Sequence, residues 1–498
     1  MEEVIIASAV RVPIGRFRGS LKDLHTIEMG TTVARAALER AGIDGSGVDE
    51  VVMSETYRGD LPGCSARPVA LRAGVPVSVP GFNLNMHCGT GLKAIVQAGQ
   101  MIRCGDAQTV LVVAMESMSR AAFLMRGART GFPLGHVTLV DQLVQKGDPA
   151  RIPAADPTAA LSMGETAERL AEQYRISRQW QDEYALESQR RAARAQAECR
   201  FESQLVPIQV PVGRETKLFS QDEHPRPDTT LETLGRLPAV FKTGGTVTAG
   251  NSSGMNDGAA ALVLMSASRA RELGIDGLAR VRGHASAGVP PEVMGLGPVP
   301  ATQRLLERTG LRLGDFNVIE LNEAFAVQVL ACFEEYPALG QRRGDINVNG
   351  SGISLGHPIG ATGAILAVKA VHELRRVGGG LALCTMCIGG GQGIAVAPSP
   401  ASRGDATRNE GRNMGGGGSL ILARATSNLE TVTNSGLSSV SSMSSSFGTR
   451  LFTEIKLQAS GEVQPRQLQG EGPRSSLSAT SRGRPTARWR NRSPCPSA

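Results

Sequence analysis

Two stretches of the chain, ALERAGIDGSGVDEVVMSE (37–55) and LLERTGLRLGDFNVIELNE (305–323), follow one pattern at an offset of 268 residues. Each reads as a helix, a glycine stop, a short loop and a buried strand. A repeat at this distance is no solenoid unit; it implies two layered halves related by a pseudo-twofold axis. Carrying the offset forward sets Cys88 opposite Gly356, one residue from His357. Both positions lead into glycine-rich turns and apolar helices, GTGLKAIVQAG and GATGAILAVKA. Equivalent strand-to-helix turns would then each aim one reactive side chain.

The rest of the first 398 residues supports an α/β layered fold. Runs such as TVLVVAM (109–115) and ALVLMS (261–266) read as buried strands, and TTVARAALERAG and ILAVKAVHELRRVG as helices between them. The expected organisation is a first half over 1–116 and 246–275, a covering insertion over 117–245, and a second half over 276–398. Residues 399–498 turn Gly/Ser/Arg-rich and lose periodicity, the pattern of a disordered tail.

Charge excludes one class of function for the body. The net charge of +7 resides in residues 401–498, with 13 basic and 6 acidic side chains, while the remaining 400 residues carry 40 of each. A neutral body gives no reason to expect nucleic acid as partner. No apolar run has membrane-spanning length, and MEEVIIASAVRVPIGRF enters a strand directly, so the expected location is the cytoplasm, with no membrane association. Eight scattered cysteines (64, 88, 104, 199, 332, 384, 387, 495) do not form a secreted disulfide framework.

Four motifs carry chemistry. Cys88 precedes GTGLKA, where helix N–H groups and the helix dipole favour a thiolate. His357 lies among glycines in NGSGISLGHPIGATG, placed to take a thiol proton. CTMCIGGGQG ends an apolar run at Cys387 and continues with glycines whose N–H groups can face an oxyanion. LNEAFA brings Asn322 and Glu323 to a strand end. Each has a bland reading taken alone: a core cysteine, a structural histidine, ordinary turns. Cys384 and Cys387 form a lone C-x-x-C without a second pair at zinc spacing, so no metal is expected.

In this order and spacing the motifs resemble the thiolase family over residues 1–398, together with RVPIGRFRGSL, ESMSRA, GTVTAGNSSGMNDGAAA and MGLGPVPA. The resemblance implies a duplicated αβαβα layered fold with a covering loop. It also implies the reversible making or breaking of a carbon–carbon bond between acyl-CoA units through an acyl-cysteine. Cys88 would be the acylated nucleophile, His357 its base, and Cys387 the acid/base at the α-carbon. Asn322 would hold a water beside the enolate oxygen, and the N–H groups of Cys88 and Gly389 would face the thioester oxygen. Ser253, Ala249, Gly254 and Met163 would contact CoA, with Met294 and Phe325 bordering the acyl pocket. Coenzyme A is then a substrate, no further cofactor is expected, and a homodimer or homotetramer is the expected assembly. Two positions depart from the short-chain pattern: Ser162 stands in place of a histidine and Arg169 in place of an asparagine. A decarboxylating ketoacyl synthase would use a Cys-His-His set, and a non-catalytic CoA-binding relative would have no need of all four positions.

Overall fold

The structure is a computed structural model that describes residues 2–57, 63–125, 129, 131–132, 134–143 and 161–401. The first half contributes strands β1 (Val4–Arg11), β2 (Glu50–Ser54), β3 (Gly81–Leu84), β4 (Thr109–Ser117) and β5 (Asn256–Ser266), in the spatial order β3-β2-β4-β5-β1. The second half contributes β6 (Ala279–Gly288), β7 (Phe316–Leu321), β8 (Leu381–Ile388) and β9 (Gln392–Pro400), in the order β7-β8-β9-β6. Ile346 bridges Ile319 in parallel at the edge that β3 occupies in the first half. Strand directions match as well: β2 and β7 pair in parallel with β4 and β8, and all other pairs inward from these are antiparallel. Thus the duplication read from the repeat is a duplication of topology. The halves join where β1 meets β6 antiparallel, Ile5 opposite Arg280 and Ile6 opposite Ala279.

Side-chain alternation builds the layers. Along β4, Val110, Val112 and Ala114 face one apolar cluster while Leu111, Val113 and Met115 face another. Both faces are therefore buried, which is why the strand reads as an unbroken apolar run. The inner cluster is shared by both halves and contains two helices, α2 (Thr90–Cys104) and the long helix Ile359–Arg376. Helix α1 (Thr26–Ala41) covers the outer face of the first half, and helix Pro298–Thr309 covers that of the second. The result is the expected helix–sheet–helix–sheet–helix order. Gly42 and Gly310 take left-handed conformations (φ 72° and 69°) at the ends of the two outer helices, the stops seen in the repeat.

Of the longer helices, the others are labelled α3 (Met163–Gln173), α4 (Arg178–Ala197), α5 (Pro298–Thr309), α6 (Ala326–Glu335) and α7 (Ile359–Arg376). The central helices cross at Gly91 and Gly363. A Cβ on Gly91 would lie 2.4 Å from the Ala364 nitrogen, and a Cβ on Gly363 would lie 2.4 Å from that of Leu92. Only glycine permits this approach. This reciprocal pair corrects the repeat register: the offset is 272 at the crossing, which sets Cys88 opposite Gly360 rather than Gly356. Strand β9 also runs to Pro400, two residues past the boundary expected from composition. The expectation for the rest of the tail lies outside the described residues. Among the described residues no helix is long and apolar enough to cross a membrane.

Candidate active site

Cys88 stands on the turn between β3 and α2. Thr90 organises that turn: its Oγ1 accepts from the Met86 N–H at 2.8 Å and donates to the His87 carbonyl at 2.5 Å. The Asn85 Oδ1 accepts from the His87 N–H at 2.9 Å, and His87 itself is held at φ +46°. The backbone N–H groups of Cys88 and Gly389 both approach the Cys88 sulfur and favour its thiolate. Burial outweighs them. It pushes the thiol up to about 11, and the nearby carboxyl of Glu116 adds to the rise. The thiolate expected from the helix N-terminus is therefore a thiol at rest, and it needs a base.

His357 stands just before α7. Its N–H donates to the Asn256 Oδ1 at 2.9 Å, and its Nδ1 lies 2.6 Å from the Thr362 Oγ1. The Thr362 hydroxyl donates to the Pro358 carbonyl at 3.0 Å, so its oxygen accepts from a proton on Nδ1. That leaves the Nε2 lone pair bare, and Nε2 is buried without a hydrogen-bond partner. Burial lowers the imidazole to about 4, so the ring is neutral and able to accept a proton.

Cys387 ends β8, buried among Met294, Phe325 and Cys332. Burial, with Cys88 and Cys332 nearby, raises its thiol well above the usual range. Cys384 faces the inner cluster, on the opposite side of the sheet. The C-x-x-C pair therefore cannot close on one metal ion. Asn322 follows β7 and is fully buried, and neither its Oδ1 nor its Nδ2 has a partner. An unpaired buried amide is costly and marks a group made for a ligand or water. Its neighbour Glu323 is different: it accepts from Tyr184, Ser188 and Asn347, and so braces the loop. Gly389 fits between Met163 and the nucleophile turn, where a Cβ would lie 3.3 Å from the Met163 sulfur.

A cavity of about 820 Å³ lies alongside, and its lining includes Met163, Ala249, Ser253, Gly254 and Phe325. Its wall also includes Ile359, two residues beyond His357, so it borders the cluster just described. The NSS and EAFA segments are joined directly: Ser253 N–H donates to Ala324 at 2.9 Å and Ala326 N–H to Asn251 at 2.8 Å. Met294 is not among the residues that line this cavity; it is buried in the apolar cluster that also holds Phe325 and Cys387. Ser162 does line it, and its hydroxyl caps α3 in a capping box with Glu165. Arg169 points outward from the same helix.

Three groups escaped sequence reading. Asn256 receives the His357 N–H through Oδ1, donates to the Gly15 carbonyl, and lies 3.2 Å from the His224 Nδ1. His224 lines the cavity with Arg226, and burial with the Arg226 cation lowers it to about 4. The third is Glu116. The available signals were NDG and ESMSRA inside quoted motifs and an isolated histidine in HPRPD, none tied to His357 by spacing.

A thiol, a neutral imidazole, a second thiol and an unpaired amide, drawn from two duplicated halves, are groups that acyl transfer through cysteine would use. Comparison with known proteins agrees. Residues 4–268 match the family described as Thiolase, N-terminal domain, and 275–398 match Thiolase, C-terminal domain. The acetyl-CoA acetyltransferase of Pseudomonas aeruginosa is 45% identical over 397 residues, covering 80% of this chain and 99% of the relative. Beta-ketothiolase BktB of Cupriavidus necator is 48% identical over 397 residues, covering 79% and 98%. The crystal structure of human mitochondrial 3-ketoacyl-CoA thiolase in complex with CoA matches with a TM-score of 0.74 and 39% identity, over 80% of this chain and 98% of that one. The chain belongs to the thiolase family, and by that membership it is an acyltransferase.

Proposed function

We propose that the protein catalyses the reversible Claisen condensation of short-chain acyl-CoA and its reverse, CoA-dependent cleavage of 3-oxoacyl-CoA: two acetyl-CoA to acetoacetyl-CoA and CoA. The observation that carries this reading is the bare, buried Nε2 of a neutral His357, on a turn linked through Glu116 and Thr56 to the turn of the Cys88 thiol. In cleavage, His357 takes the Cys88 proton as sulfur attacks the 3-keto carbon. The C2–C3 bond breaks, the acyl group stays on Cys88, and Cys387 protonates the α-carbon of the departing acetyl-CoA enolate. His357 passes its proton back to the Cys387 thiolate and then deprotonates incoming CoA, whose sulfur takes the acyl group; that proton returns to the Cys88 sulfur as it leaves. The N–H groups of Cys88 and Gly389 face the tetrahedral oxygen, and His357 with the Asn322 amide, through water, faces the enolate oxygen. Ser253, Ala249, Gly254 and Met163 line the pantetheine path, with Phe325 at the acyl end.

Residues 1–116 with 246–275 form the nucleophile half, 117–245 the covering insertion and 276–398 the base half. The relatives named for acetyl-CoA and β-ketoacyl substrates support the short-chain reading. A second reading, cleavage of longer 3-ketoacyl-CoA in fatty-acid breakdown, draws support from the human neighbour's name and the size of the cavity. We assign the protein to the cytoplasm as a homodimer or homotetramer, with coenzyme A as substrate and no further cofactor. The test is cleavage of acetoacetyl-CoA by wild type and Cys88→Ala. Wild-type turnover with at least about a 10³-fold loss in the variant is expected. Equal activity in the two would sink the assignment. A chain-length series with 3-ketoacyl-CoAs separates the two readings.

A further inference from the structure

The pseudo-twofold relation leaves one residue unexplained by packing. Glu116 and Ile388 are 272 residues apart, the same separation as the crossing glycines Gly91 and Gly363. Each lies at or next to the end of its strand and packs on a glycine near the start of the other half's central helix. A Cβ on Gly89 would lie 2.3 Å from the Ile388 Cδ1, and one on Gly360 would lie 2.9 Å from the Glu116 Oε2. In one half the contact is hydrocarbon; in the other it is a carboxyl group, fully buried. A fold that works with isoleucine at this place does not need a charge there, and among the described residues no lysine or arginine pairs with it. Burying such a group is costly unless it is used.

Its bonds reach both turns of the active site. Oε2 accepts from the Gly360 N–H at 2.9 Å, three residues beyond His357. It also accepts from the Thr56 N–H at 3.2 Å, and Oε1 accepts from the Tyr57 N–H at 3.1 Å. Thr56 in turn holds the nucleophile turn: its Oγ1 donates to the His87 carbonyl at 3.3 Å, and its carbonyl accepts from the Asn85 Nδ2 at 3.2 Å. We propose that Glu116 is a positioning residue of the reaction, its buried carboxyl tying the Cys88 turn to the His357 turn across the boundary between the halves. This rests on the roles proposed for Cys88 and His357.

The titratable groups facing it are Glu55, which with burial raises Glu116 to about 8, and Cys88, whose thiol its charge pushes upward. The two effects together make Glu116 visible in the chemistry of the nucleophile without touching substrate.

The test compares wild type, Glu116→Gln, Glu116→Ile and Cys88→Ala in acetoacetyl-CoA cleavage, with the pH profile of Cys88 alkylation by iodoacetamide read by peptide mass spectrometry. Glu116→Gln keeps the shape and one acceptor. It is expected to lower kcat about tenfold to a hundredfold, with the KM for CoA within about twofold of wild type. Its alkylation midpoint moves to lower pH, because the charge opposing the thiolate is gone. Glu116→Ile, the residue of the sister half, loses all three bonds and falls further in kcat. A Glu116→Gln enzyme with wild-type kcat and an unmoved alkylation midpoint overturns the proposal. So does one whose kcat loss is matched by a loss of folded fraction or of CoA affinity. Should Cys88→Ala be as active as wild type, the site assignment itself fails; an inactive Cys88→Ala beside a wild-type-like Glu116→Gln removes only the role given to Glu116.

Discussion

The turns that carry Cys88 and His357 occupy equivalent places in the two halves, yet they are held in opposite ways. The Cys88 turn is built mostly from its own neighbours: Asn85, His87 and Thr90 supply three hydrogen bonds within five residues, and Thr56 reaches it from farther along the chain. Partners far along the chain hold the His357 turn. Asn256, 101 positions away, accepts its N–H, and Glu116, 244 positions from Gly360, accepts the next. Gly356 must take φ +102° because a Cβ there would lie 2.4 Å from the Asn256 side chain. Duplication thus supplied two like frames. One became a nucleophile turn built largely from adjacent residues, and the other a base turn assembled by tertiary packing.

The sharpest way to break this comparison is to remove the base. His357→Asn is expected to lower acetoacetyl-CoA cleavage by about 10²-fold or more while leaving the Cys88 turn intact. Stopped-flow thiolysis checks the first half of that statement and thermal unfolding the second. A Tm that falls together with turnover would mean that removing the base also disturbs the fold around the Cys88 turn.

A smaller effect is expected at the crossing that both turns depend on. Gly91→Ala forces backbone against backbone at Ala364 and should destabilise the fold by about 1–3 kcal/mol. Thermal unfolding reads this directly, and an unchanged Tm would show that the helices separate freely. Gly99, by contrast, has its nearest neighbour at 3.8 Å, so Gly99→Ala on the same helix is the control.

The mildest prediction concerns pH. His357 is buried and His224 and His372 are half-buried, and loss of solvent lowers all three to about 4. Between about 4 and the ordinary value of 6.5 the unfolded chain binds more protons at these sites than the folded one. Their contribution to stability is present above about 6.5 and is lost as pH falls towards 4. Chemical denaturation at pH 7 and pH 5 should therefore show lower stability at pH 5. Replacing His372, far along α7 from the reaction, with Gln should reduce that difference while sparing activity at neutral pH.

What could be read from sequence follows the same division. The glycine stops at Gly42 and Gly310, the buried strands and the local logic of NMHCGTG are encoded by adjacent residues and were legible. So were Cys387 and Asn322, as polar groups ending apolar strands. Thiolate character was misjudged at Cys88, since burial acts on the sulfur from parts of the chain that spacing does not reveal. Met294 lies off the large cavity, in the apolar cluster with Phe325 and Cys387, a placement MGLGPVPA alone does not give. Asn256, His224 and Glu116 were missed for the same reason: their meaning exists only once distant segments meet.

The central claim is that Cys88 carries the acyl group while His357, from the other half, frees it. Incubating the protein with acetyl-CoA and mapping acetylation by peptide mass spectrometry tests this most directly. The account predicts one acetyl group on Cys88, removed on adding CoA, with slow acetylation in His357→Asn and none at position 88 in Cys88→Ala. Acetylation of Cys387 instead, or turnover without any acyl-enzyme at Cys88, would contradict it.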